Sequence, residues 1–126
     1  MKKPSHALRN WFIVHFLADM LFGIPLLLAP EWTMELLGLQ GESMIAARLV
    51  GAALIGIGGN SLIMNKKSIQ HFRAMIDLKI IWSAAAIVAL ALEIAQGASP
   101  ILWAVLGVFL AFALLWNFYR FHLNRV

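Results

Sequence analysis

The chain has 126 residues, of which 62% are hydrophobic and 13% charged, and its mean hydropathy is +0.83. Soluble domains run at roughly 45–50% apolar and about 25% charged, and a chain this short cannot bury the excess in a core of its own, so the composition excludes a water-soluble globule. The lack of cysteine excludes disulfides, thiolate metal sites, iron–sulfur clusters and a CxxC redox pair, while the net charge of +4 follows from membrane topology rather than from nucleic-acid binding.

Four apolar stretches are each long enough to cross a hydrocarbon core of about 30 Å, which takes roughly 20 helical residues. They run over about 11–29, 43–64, 75–95 and 101–119. The expected fold is therefore all-α, a bundle of four transmembrane helices in a single integral membrane domain. Lys2, Lys3 and Arg9 ahead of the first stretch resemble the start of a signal peptide, but the run is too long and lacks a small-residue cleavage site. Pro30 ends the first span and opens a short segment in which Trp32, Leu36 and Leu37 share one side and Glu31 and Glu35 another. It is expected to be a short helix lying at the membrane interface between the first two spans, stopped by Gly38 and Gly41. Gly97, Ser99 and Pro100 form the turn before the fourth span, with Ser99 as N-cap and Pro100 at the first helical position.

The charges orient the spans. Of the ten Lys and Arg, Arg48 and Lys79 lie inside spans. Lys2, Lys3, Arg9, Lys66, Lys67, Arg73, Arg120 and Arg125 all fall in the N-terminus, the second connection or the C-terminus. The first and third connections carry none; Glu31, Glu35 and Glu42 lie in the first, and Glu93 ends the third span. The positive-inside rule then places both termini in the cytoplasm, in a multi-pass protein of the cell (cytoplasmic) membrane. Trp11, Trp32, Trp103 and Trp116 fall near span ends, as belt aromatics do, and Trp82 lies deeper as a packing residue.

Small residues let helices approach in lipid, where no hydrophobic drive brings them together. The second span has Ala52, Gly56 and Asn60 at every fourth position and Ala47 with Gly51 on another line, which places it near the centre of a tight bundle. Ala85 with Ala89, and Gly107 with Ala111, do the same in the third and fourth spans.

Ionisable residues inside spans are costly and by default suggest function. His15 and Asp19, four apart, share a helix face in the first span. Asp19 lies roughly 12 Å along the helix from Trp11, too deep to reach water easily. Its expected partner is Lys79, which enters the third span from the same side; the pair either locks two helices together or serves a proton or ligand relay. Arg48 lies one to two turns from the outer end of its helix and reaches lipid phosphate, Glu93 or Glu42, or else binds an anionic headgroup, quinone or substrate. Asp77, four residues after Arg73, is expected to pair with it at the interface. A b-type haem would need two facing axial ligands, for which His15 and His71 are the conceivable pair; neither haem nor any other cofactor is predicted. The sequence contains no nucleophile–base pair, phosphate loop or metal-ligand cluster, and nothing in it argues for an enzyme.

The run Pro30-Glu31-Trp32 through Leu36-Leu37-Gly38, then Ala47-Arg48-Leu49-Val50-Gly51-Ala52 and Ile57-Gly58, resembles the small four-helix bacterial membrane proteins grouped as DoxX-like, and related families of unknown function. These share a loop ending in a Leu-Gly step and an Arg-x-x-Gly opening to the second helix, here Arg48 and Gly51. The resemblance covers the first half of the chain. It implies a four-helix bundle in a prokaryotic cytoplasmic membrane, with some relatives linked to quinone-dependent sulfur oxidation and others to membrane complexes.

Three functions follow as expectations. The first is a non-enzymatic accessory or scaffold subunit of a membrane complex, since the short loops leave no domain to act in water. The second is a small oligomeric proton-coupled transporter or channel, resembling small multidrug exporters in outline, although the strong charge bias argues against insertion in both orientations. The third is binding of a lipid, quinone or pigment within the bundle. The expected partners are lipid, further copies of the chain or other membrane subunits, and no nucleic acid.

Overall fold

A computed structural model describes residues 3–39 and 43–124 of the chain. These residues form five α-helices and no strand: α1 (His6–Leu28), α2 (Pro30–Leu36), α3 (Met44–Met64), α4 (Ile69–Ala95) and α5 (Ile101–Asn124). All but α2 are long and apolar enough to cross a membrane. The chain is thus an all-α, multi-pass membrane protein with a short helix between its first two spans. Lys2, Gly41, Glu42 and Arg125, which carry parts of the expectations above, lie outside the described residues.

Hydropathy places both span ends well at α3, but it sets the starts of α1 and α4 and the end of α5 too far in. α1 begins at His6 because the Ser5 side chain accepts from the Leu8 amide at 3.1 Å, an N-cap that precedes the apolar run. α4 begins at Ile69, well before residue 75, because Ile69, Phe72, Met75 and Ile76 lie at helical spacing and are all buried. The polar residues between them mask that pattern from a hydropathy average. α5 likewise continues past Tyr119 to Asn124.

The contacts divide the chain into two units, Met1–Ile69 and Gln70–Val126. In the first, α1 and α3 run antiparallel with their backbones in close approach. Gly23 and Gly51 mark the crossing. A Cβ on Gly51 would lie 2.7 Å from the Gly23 carbonyl oxygen and 2.8 Å from the Leu27 amide nitrogen, closer than atoms can pack. At one end, Arg9 Nη1 donates to the Asn65 carbonyl while Asn65 Nδ2 donates to the Arg9 carbonyl at 2.6 Å. At the other end α2 packs on both helices. Its buried residues are Pro30, Thr33 and Met34, and the Thr33 hydroxyl donates to the Ala29 carbonyl at 2.8 Å. Trp32 and Leu36 are each 60% exposed, so the apolar residues singled out in the sequence face outward.

Gly38 stops α2 as expected. Its φ of 69° lets its amide reach the Glu35 carbonyl at 3.0 Å and the Leu39 amide reach Met34 at 2.8 Å, the two bonds of a Schellman motif. Gly97, with φ of 85°, ends α4 the same way.

In the second unit, α4 and α5 meet through long side chains. Trp82 and Phe109 are edge to face with centroids 6.3 Å apart, and Arg73 Nη2 donates to the Leu123 carbonyl at 3.0 Å. Asp77 pairs not with Arg73 but with Arg120, whose Nε lies 2.5 Å from Oδ1 and Nη2 3.3 Å from Oδ2. The two-point geometry of a guanidinium on a carboxylate is met better across the hairpin than along one helix.

Candidate intramembrane polar sites

The buried stripe of α1 is Leu8, Phe12, His15, Asp19, Gly23 and Leu26, with steps of three and four residues. His15 and Asp19 therefore occupy the packed face of the helix rather than its lipid face. His15 Nδ1 is 3.5 Å from Asp19 Oδ2, and the two side chains are 7% and 8% exposed. Both are held inside an apolar stripe, where charge is costly unless shared or neutralised.

Gly58 of α3 completes this site. A Cβ there would lie 2.7 Å from Asp19 Cβ and 3.1 Å from Asp19 Oδ2. The carboxylate thus lies directly on the α3 backbone, where only glycine leaves room for it. One turn on, the buried Ser61 hydroxyl donates to the Ile57 carbonyl at 2.9 Å. The arrangement is an imidazole and a carboxyl group within a proton's reach of each other in a dry helix–helix seam.

The α1-facing line of α3 is Ala47, Gly51, Leu54, Gly58 and Ser61. Of the packing residues expected from the sequence, Ala47 and Gly51 lie on it. Ala52 is exposed, and a Cβ on Gly56 would meet nothing within 4 Å, so these two face away from α1; Asn60 is half-buried. The reason is geometric. A line of strict fourth residues drifts around a helix of 3.6 residues per turn, whereas a packed face alternates steps of three and four. That alternation, carried on from Ala47 and Gly51, leads to Gly58, and from Asp19 along α1 it leads to Gly23.

Arg48, in the second turn of α3, is exposed and makes no salt bridge within its own unit among the described residues. Asp19 and Lys79, expected to pair, belong to different units, as do His15 and His71, and His71 is exposed.

Lys79 is fully buried in α4. Its Nζ lies 5.0 Å from the centroid of the Trp116 ring, a cation–π distance, and Ser83 Oγ donates to the Lys79 carbonyl at 2.7 Å. Trp116 is 0% exposed and stacks on Phe112 with centroids 5.9 Å apart. It is thus a core residue and not a belt aromatic. Its π-face lies toward the buried ammonium. Trp11, Trp32 and Trp103 are exposed.

Comparison with family models, curated proteins and solved structures finds no match. The residues with chemical consequence that the sequence did not single out are Gly58, Trp116 as the partner of Lys79, and Arg120 as the partner of Asp77. The helical alternation pointed to the first; the other two depend on the pairing of α4 with α5.

Proposed function

We propose that the protein is a non-enzymatic accessory or scaffold subunit of a membrane assembly, seated in a prokaryotic cytoplasmic membrane with both termini in the cytoplasm. The observation that carries this reading is the second small-residue face of α3. Ala52 and Gly56 are exposed on the side away from α1, with open space where a Gly56 side chain would stand. A glycine spends helix stability wherever it sits, and on this face a Cβ at Gly56 would meet no atom of the described residues within 4 Å. A further membrane helix would. The other spans also present apolar surface outward, α5 above all. The resemblance to DoxX-like proteins, resting on Leu37-Gly38 and Arg48-x-x-Gly51, belongs to the same reading.

Mild-detergent extraction of the native protein, with everything that co-purifies identified and quantified, tests it. A partner in fixed ratio that Gly56→Leu releases is the expected outcome. A chain that purifies alone, or a partner indifferent to Gly56→Leu, contradicts it.

A second reading rests on His15, Asp19 and Gly58. A buried imidazole–carboxyl pair set against a glycine of the neighbouring helix suits a proton-binding step, and with it a small oligomeric proton-coupled transporter. Asp19→Asn is then expected to abolish proton flux into liposomes holding the purified protein; flux equal to that of the parent chain rejects this reading.

A further inference from the structure

The lysines of the first unit gather at one end of its axis. At the end where α1 begins and α3 finishes, Lys3, His6, Lys66 and Lys67 are all exposed. At the opposite end the exposed charges of α2 are Glu31 and Glu35. Among the described residues of this unit the remaining acid is Asp19, buried in mid-helix. The basic end therefore has no acidic residue of the unit to neutralise it.

Its position is fixed as well as its charge. Residues 65–68 are all that separate α3 from α4, both of membrane-crossing length. So short a connection cannot leave the membrane surface, and Lys66 and Lys67 are held at the level of the headgroups. Arg9 and Asn65 pin the turn to α1 through reciprocal bonds to each other's backbone, and Arg9 Nη2 reaches the Lys67 carbonyl at 3.5 Å. Arg9 is thus a positioning residue. It points inward to the carbonyls and leaves the two ammonium groups directed outward.

We infer that this end of the first unit is a binding surface for anionic phospholipid headgroups, with Lys66 and Lys67 as the phosphate contacts. Two flexible ammonium groups on a pinned turn suit a diffuse anionic lipid surface, which each basic residue favours by roughly five-fold in affinity.

Native mass spectrometry of the purified full chain tests this, with phosphatidylglycerol and phosphatidylcholine of matched acyl chains as probes. Phosphatidylglycerol is expected to be retained preferentially. Lys66→Gln or Lys67→Gln should each lower retention about five-fold and the double variant about 25-fold, while the double Lys→Arg variant and Glu31→Gln keep it. Equal retention of the two lipids, or undiminished phosphatidylglycerol on the double Gln variant, overturns the inference.

Discussion

Asp19 shows how a single residue constrains its surroundings. Its burial beside His15 sets an ionisable pair into the packed face of α1, and its contact with Gly58 means that α3 has been shaped to receive it. Gly58→Ala forces a Cβ to within 2.7 Å of Asp19 Cβ and is expected to lower stability in detergent unfolding by about 1–3 kcal/mol. Gly59→Ala adds a Cβ that meets nothing within 4 Å, so it should stay within about 0.5 kcal/mol of the parent. Equal losses at the two positions would refute this account of the seam. His15 and Asp19 were legible in the sequence, because ionisable groups stand out in an apolar run. Gly58 lies on the alternating line carried on from Ala47 and Gly51, but its contact with Asp19 depends on the pairing of α1 with α3.

The helices pair by two different means. α1 and α3 approach through backbone at Gly23 and Gly51, and Gly58 makes room for Asp19 further along. α4 and α5 are held apart by Trp82, Phe109 and Trp116, and joined at one end by Asp77 and Arg120. In that hairpin the aromatic filling dominates. Asp77 and Arg120 are 48% and 30% exposed at the side chain, and a pair so far from buried contributes little, so Arg120→Gln should cost no more than about 1 kcal/mol. Trp116→Ala removes a fully buried indole and the π-face under Lys79, and should cost about 3–5 kcal/mol. Unfolding followed by helical circular dichroism ranks the two, and a larger loss for Arg120→Gln would reverse the argument. The sequence made the four spans legible through length and hydropathy. It did not reveal where α1 and α4 begin or where α5 ends, because caps and half-buried stripes lie outside the apolar runs. It also missed the partner of Asp77, because a pair across a hairpin depends on register while a pair along one helix depends only on spacing.

Across the whole molecule, charge and hydropathy tell one story. Four membrane-length helices are separated by short connections, and basic residues mark the N-terminal, second-connection and C-terminal segments, while Glu31 and Glu35 mark the first connection. The expectation of four crossings came from the sequence whole, because the bilayer leaves so few solutions to an apolar chain. The identity of any partner was not legible, since a helix face suited to lipid and one suited to another helix are built from the same residues. The central claim is the topology, and the natural lack of cysteine makes it directly measurable. Single cysteines at Lys3, Glu35, Lys67 and Gln96 are labelled in intact cells with a membrane-impermeant maleimide, before and after permeabilisation. Labelling of Glu35→Cys and Gln96→Cys from outside, and of Lys3→Cys and Lys67→Cys only after permeabilisation, is the predicted result. Lys67→Cys and Gln96→Cys reacting from the same side, or the pattern reversed, would contradict it.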